Sequence, residues 1–498
     1  MASMANSTPS PEIREPVEMM AYWRRYVTVA VLCFVNLLNY MDRYTIAGIL
    51  VKVEHFYHID DGNAGLLQSI FVVGFACTAP IFGYCGDRYN RKWLMVAGIG
   101  LWSAVTLAGS FIPSNLFGVF VALRGLVGVG EASYVTIAPT IISDMFINEK
   151  RSFMLMLFYF AIPVGSGLGY IVGSELAKID DDWRWALRLT PILGTICCLL
   201  IIFVAREPPR GMAEDGAEHQ SNSTLKQDLI ALFKNKTFVL STVGNTTVTF
   251  VSGALALFAP KFLGLAYKVA GDFDTPSDQV ALIMGIITTV AGFVGVALGT
   301  NVARKVKQRH PNGDPLVCAF GLLASTPFFL ITLVVCEYNL ILTWISILIG
   351  EVLLFMNWPI VADILLYSVP ATLRSSAEAV QLFVCHILGD AFSPPLLGVL
   401  SVTLRGDRDG GYYVFQSLQY SLFVSLFITV IGGSLFLACS FYIVKDKEAA
   451  EAATKATAVG GPVPTERPLQ SLPLDDMLPL FDDNTGFGDF DDVHILPT

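Results

Sequence analysis

Between short polar breaks, the chain repeats a block of about twenty mostly apolar residues, the length a helix needs to cross the hydrocarbon core. The blocks fall near residues 26–50, 64–84, 93–112, 115–142, 152–175 and 186–205, then 237–262, 279–300, 315–336, 339–367, 376–403 and 413–444. Inside lipid every backbone polar group must find its partner within the protein, which leaves helices or closed barrels. These blocks are about twice the length of a barrel strand, so the expected fold is all-α and polytopic, with twelve transmembrane helices. Composition agrees: 54% of residues are hydrophobic and 15% charged, against about a quarter charged in ordinary soluble domains. The first block is too long for a signal-peptide core and reads as a retained first span.

The polar stretch at 206–228 separates the blocks six and six. It gives an N-terminal segment (1–25), a first six-helix half (26–205), a linker (206–236), a second half (237–444) and an acidic tail (445–498). Even-numbered connections hold Arg88, Arg91 and Lys92, then Lys150 and Arg151, then Arg304, Lys305, Lys307 and Arg309, and Arg374. The positive-inside rule therefore places both termini and the linker in the cytosol. The sequons at Asn6, Asn222 and Asn235 would then face the cytosol and Asn245 lies within a span, so none is expected to carry a glycan.

The net charge of −10 concentrates in residues 475–498, which hold seven Asp and no Lys or Arg. That composition predicts a disordered tail with room for a cytosolic partner. No basic domain points to nucleic acid. The nine cysteines show no metal-ligand spacing or disulfide framework, so no metal or cofactor is expected. HExxH and GxSxG are absent, and transport is expected rather than catalysis. The chain is expected to act as a monomer.

The two halves echo each other. "GEASYVTIAP" begins at Gly130 and "GEVLLFMNWP" at Gly350, each with Glu eight residues before Pro, followed by Asp144 or Asp363 and then by Arg151-Ser152 or Arg374-Ser375. Duplicated six-helix units point to a transporter with its site between the halves.

Charges inside the spans locate that site. A mid-span charge costs roughly 2.5–3.5 kcal/mol on insertion scales and normally faces a cavity or a partner. Asp42 and Arg43 stand side by side in the first span, Arg124 and Glu131 seven residues apart in the fourth. Neighbours on a helix point about 100° apart and pair poorly with each other, whereas residues seven apart share a face. The four charges sum to zero, so Asp42 and Glu131 could neutralise Arg43 and Arg124 until a proton frees an arginine for an anion. Asn36, Asn39 and Arg43 form a polar stripe expected to line the cavity. The second half offers Glu351 and Asn357, then His386 and Asp390 one turn apart, a spacing that suits proton relay. Asp363, near a span end, reads as structural.

The loop "GYCGDRYNRK" joins spans two and three and supplies Gly83, Asp87, Arg88, Arg91 and Lys92. Its pattern resembles the signature loop of the major facilitator superfamily, which implies a cytosolic latch between halves; a purely topogenic basic loop is the alternative. The second-half counterpart has Ala303 where Asp would stand, so the latch should be asymmetric. The run "AIPVGSGLGYIVG" resembles the superfamily's Pro/Gly segment of the fifth helix.

Several ordered blocks carry a narrower resemblance, among them "NLLNYMDRYTIAG", "RGLVGVGEASYVTIAPTIISD", "FYFAIPVGSGLGY" and "ADILLYSVPATLRSSAEA". Together, from about residue 23 to 444, they are similar to the Spinster family of lysolipid transporters. The resemblance implies movement of lysophospholipids or sphingosine-1-phosphate, proton coupling, a lysosomal or late endosomal membrane ahead of the plasma membrane, and a central polar site at Asp42, Arg43, Arg124 and Glu131. The tail lacks a clean dileucine sorting signal, "DDVHIL" from Asp491 coming nearest. A transporter of small polar solutes, a membrane-embedded hydrolase or transferase, and a transport-dead lipid sensor stand as alternatives.

Overall fold

A span in lipid must close its own hydrogen bonds, and each apolar block does so as helix. In this computed structural model residues 22–146, 148–205, 225–271, 277–370, 373–408 and 410–458 are described. Residues 459–498 of the acidic tail and the sequons Asn6 and Asn222 lie outside them, whereas residues 445–458, expected to belong to the disordered tail, are helical. The first half contains α1 (Tyr22–Gly48), α2 (Leu50–Tyr57), α3 (Asp61–Arg88), α4 (Arg91–Gly109), α5 (Phe117–Met145), α6 (Asn148–Leu176) and α7 (Arg184–Phe203). After α8 (Leu225–Lys234) come α9 (Lys236–Val269), α10 (Ser277–Lys307), α11 (Gly313–Val335), α12 (Leu340–Phe355) and α13 (Asn357–Ser368). The chain continues through α14 (Arg374–Cys385), a π-helical turn (His386–Asp390), α15 (Ser393–Arg405), α16 (Gly411–Cys439) and α17 (Ile443–Ala458).

Eleven of the twelve expected spans are long and apolar enough to cross a membrane. The twelfth is α1, 27 residues long, whose hydropathy is diluted by Asn36, Asn39, Asp42 and Arg43. Side-chain caps set several starts: Asp60, Asn90, Asn235 and Asn339 accept from the N–H three residues on, at the entries to α3, α4, α9 and α12. Asn235 also donates to the Ser368 carbonyl, 2.7 Å away, so this sequon's side chain is engaged at both ends.

Two expected spans are interrupted, and proline explains both. Pro359 has no N–H to offer the carbonyl of Phe355, where α12 ends. The duplicate position, Pro139, stays inside an unbroken α5. Pro394 and Pro395 likewise leave the carbonyls of Asp390 and Ala391 without their helical donors. A π-type bond from Ala391 N to His386 O, 2.9 Å long, precedes them, and the freed Ala391 carbonyl accepts the Ser69 hydroxyl of α3. The connection between the first two spans holds an unanticipated helix, α2.

The halves meet through α3 against α15 and α6 against α10. The Pro/Gly run of α6 divides by face. Gly165, Gly169 and Gly173 let α6 lie against the backbone of α1, while Gly167 meets Gly285 and Thr289 of α10 and Pro163 meets Gly292. A Cβ on Gly167 would stand 1.9 Å from Thr289 Oγ1, so close approach demands glycine there.

Candidate functional site

Adjacent residues on one helix cannot face the same partner, and the structure resolves α1's two charges accordingly. Arg43 Nη2 donates to Glu131 Oε2 at 3.1 Å, and Arg124 Nη1 donates to Asp42 Oδ2 at 3.4 Å. The two pairs cross between α1 and α5. Trp102 of α4 donates its indole N–H to the same Asp42 oxygen at 3.1 Å. All four charged side chains and Trp102 are buried. Asp42 Oδ1, Glu131 Oε1, Arg43 Nε, and Arg124 Nε and Nη2 have no protein partner, so the cluster is neutral in sum yet keeps hydrogen-bonding capacity for a guest or for water.

Aromatic faces frame the arginines. The Arg43 guanidinium lies 4.9 Å from the ring centres of Tyr40 and Phe71 and 5.0 Å from that of Phe75. Phe71 also faces Arg124 at 5.4 Å, so one ring serves two cations. Sequence reading missed Trp102 and these rings. A Trp inside an apolar span was the available signal, since a buried indole N–H usually finds an acceptor.

The other expected residues distribute unevenly. Asn36 is buried with its amide on the Phe158 carbonyl at 2.9 Å, tying α1 to α6. Asn39 is buried with both amide atoms unpartnered. Glu351 accepts from Thr288 at 3.3 Å and lines a small cavity with Phe262, Met284, Phe329 and Leu333, inside the second half. Asn357, the first residue of α13, donates its amide to the carbonyl of Leu354 in the last turn of α12 at 2.9 Å, against Gly321, and so braces the break in span ten. His386 Nδ1 lies 2.7 Å from Asp390 Oδ2 within the π-turn. The imidazole meets Phe75 edge-on at 5.4 Å, so Phe75 stands between Arg43 of one half and His386 of the other.

In the signature loop, Arg91 donates to Asp144 at 2.7 Å and to Thr140 at 3.2 Å, and Lys92 caps the Ile202 carbonyl at 2.7 Å. These contacts lie within the first half. Arg88 stacks on Tyr84 at 3.8 Å, Gly83 has open space beside it, and Gly86 packs on Ile137. The Asp87 side chain lies outside the described residues. In the second half the corresponding corner uses Lys307 on Asp314, 2.6 Å, with the Tyr367 hydroxyl on the same carboxylate at 2.7 Å.

At the opposite end the halves are joined by a set the sequence did not single out. Lys261 of α9 binds Glu54 of α2 at 2.6 Å and also Asp61 of α3. Ser401 of α15 donates to the other Asp61 oxygen at 2.8 Å. Gly65 lies against Pro394 and Gly398 against the Asp61 carbonyl, and Tyr170 of α6 donates to the Ala256 carbonyl at 2.5 Å. This end is sealed. Burial, with Asp61 adding to it and Lys261 opposing it, raises the Glu54 carboxyl from the usual 4.5 to about 7.

The comparisons fit this architecture. The model of the Major Facilitator Superfamily matches residues 32–394. The chain is 50% identical over 432 residues to protein spinster homolog 1 of Rattus norvegicus, covering 85% of this chain and 82% of the relative. It is 47% identical over 459 residues to protein spinster homolog 3 of Danio rerio, covering 91% and 92%. Among solved structures, a bacterial homologue of the human lysosomal transporter Spinster, in an inward-facing, unoccupied conformation, superposes with a TM-score of 0.76 at 18% identity, covering 86% of this chain and 99% of that one. This chain, a multi-pass membrane transporter, belongs to the major facilitator superfamily and, within it, to the spinster family.

Proposed function

We propose that the protein is a proton-linked, alternating-access carrier of single-chain lysolipids, with Arg43, Arg124, Asp42 and Glu131 as headgroup and proton site. The observation that carries this reading is the crossed pair of buried ion pairs. A cluster summing to zero becomes a net single positive charge when one carboxylate takes a proton. Protonation of Glu131 weakens its hold on Arg43, and the freed guanidinium presents two parallel donors to a phosphate. The aromatic faces around Arg43 hold it in place during the exchange.

Two substrates fit that chemistry, a lysophospholipid and a sphingoid phosphate, each with a phosphate on a single chain. With the basic loops in the cytosol, the end sealed by Lys261, Glu54 and Asp61 faces the lumen or exterior, and the signature loop sits at the cytosolic end, ready to latch when the seal opens. A lysosomal or late endosomal membrane is the location this reading favours, supported by the likeness to a bacterial homologue of the human lysosomal transporter Spinster.

Binding of labelled sphingosine-1-phosphate and lysophosphatidylcholine to purified protein tests the headgroup assignment. Arg43→Ala is expected to lose binding of the substrate lipid while eluting as a folded monomer. Equal binding by wild type and variant would make Arg43 structural.

A further inference from the structure

The seal between the halves raises a problem that the first half itself answers. If the sealed end faces the proton-rich side, a proton that loads Asp42 or Glu131 before the seal opens needs a route other than the one between the halves. A second, water-sized cavity lies inside the first half and is lined by Thr106 and Gly109 of α4, Arg124, Phe120 and Val127 of α5, and Leu187 of α7. It has room for about one water centre. Its walls are apolar except at two points. Arg124 and Thr106 are both more than nine-tenths buried, and Arg124 Nε, Arg124 Nη2 and the Thr106 hydroxyl have no protein partner.

Stranded donors of this kind normally hold water. Their placement along α4 is regular: Trp102, Thr106 and Ser110 stand at i, i+4 and i+8 on one face. Trp102 touches Asp42 at 3.1 Å. Ser110, at the C-terminal end of α4, accepts from Arg188 Nε at 3.5 Å. This end of α4 lies on the sealed side, since Tyr57 of α2 donates to the Ile112 carbonyl at 3.3 Å.

We infer that this cavity is a hydration site on a proton path that enters beside Arg188 and Ser110, passes the water held by Thr106 and Arg124, and ends at the Asp42–Arg124 pair, bypassing the seal between the halves. The charged groups facing the path are few. On α5 they are Arg124 and, two turns beyond, Glu131; on α7, Arg188; on α1, Asp42 and its neighbour Arg43; α4 contributes hydroxyls and an indole. The arginines repel a free hydronium, so the water at Thr106 passes a proton by hydrogen-bond exchange and Asp42 receives it.

The inference rests on the proton-linked reading, and the test separates the two. Full-length protein in liposomes is given labelled lysophosphatidylcholine and, separately, sphingosine-1-phosphate. Lipid exchange at equal pH and lipid movement driven by an imposed pH gradient are measured, with a trapped pH dye reporting proton entry. Wild type should respond to the gradient. Thr106→Val and Thr106→Leu, which remove the hydroxyl and in the second case fill the cavity, should keep exchange within about twofold but lose most of the gradient response and proton entry. Thr106→Ser should retain both. A gradient response unchanged in Thr106→Leu would overturn the path while leaving proton coupling intact. Loss of exchange in all three variants, Ser included, would overturn it by making Thr106 structural. No gradient response in wild type, with exchange present, would overturn the proton-linked reading and this path with it.

Discussion

The two halves descend from one plan yet hold their acidic residues differently. Glu131 and Glu351 occupy duplicate positions, each eight residues before a proline. Glu131 faces Arg43 in a cluster with Asp42, Arg124 and Trp102. Glu351 has the Thr288 hydroxyl and a mostly apolar cavity with no cationic side chain in its lining. The first half thus holds charge poised for exchange, and the second half supplies a wall, a lysine for the seal, and a span, the eleventh, interrupted by a π-turn. Duplication preserved the frame while the chemistry gathered on one side.

The strongest way to break this contrast is Arg43→Ala. Stranding Glu131 in a buried site is expected to destabilise the protein by about 3–5 kcal/mol unless the carboxyl protonates. Thermal unfolding in detergent should therefore show a loss that shrinks at acid pH, together with abolished lipid binding. A loss independent of pH would mean that the pair is a packing feature only.

The seal offers a second test, of intermediate size. With the seal closed, burial raises the Glu54 carboxyl to about 7, and open to water it returns to its usual 4.5. The sealed form therefore holds a proton that the open form releases between these values. Its contribution to sealing is full below the usual 4.5 and is lost as pH rises through about 7. Cross-linking of a cysteine pair placed across α3 and α15 should be favoured by acid, and Glu54→Gln should remove that dependence. Lys261→Ala should loosen the seal at every pH.

Glu351→Gln sharpens the comparison at smaller scale. Glu351 has no cationic partner to lose among the described residues, so gradient-driven flux should fall less than with Glu131→Gln, by a few-fold at most. An equal or larger fall would place the proton site in the second half. Smallest of all, Arg88→Ala removes an exposed cation stacked on Tyr84, and stability should change by about 0.5 kcal/mol or less. Any effect on transport would then report the latch in the state that opens the seal.

Much of this was legible in the sequence. Twelve apolar blocks fixed the helices because each had to span lipid alone. Asp42, Arg43, Arg124 and Glu131 were recoverable because charge in an apolar span needs an opposite charge, and helix geometry forbids Asp42–Arg43 self-pairing. What lies opposite a residue was harder to read. Asn36 sits on the expected stripe, but its amide serves the α6 backbone; Asn357 braces a helix break. The seal joins Glu54 and Lys261, more than two hundred residues apart, and each reads alone as an ordinary loop charge. The π-turn arose from two prolines whose effect is felt four residues upstream.

The central claim is that a proton on the first-half cluster releases an arginine for the lipid headgroup. Liposome flux of labelled lysophosphatidylcholine and sphingosine-1-phosphate, measured across a range of imposed pH gradients for wild type and Glu131→Gln, tests it most directly. The account predicts that one lipid moves with the gradient in wild type and that Glu131→Gln, still folded, moves it at a rate indifferent to the gradient. A Glu131→Gln protein whose flux follows the gradient as wild type does would contradict it.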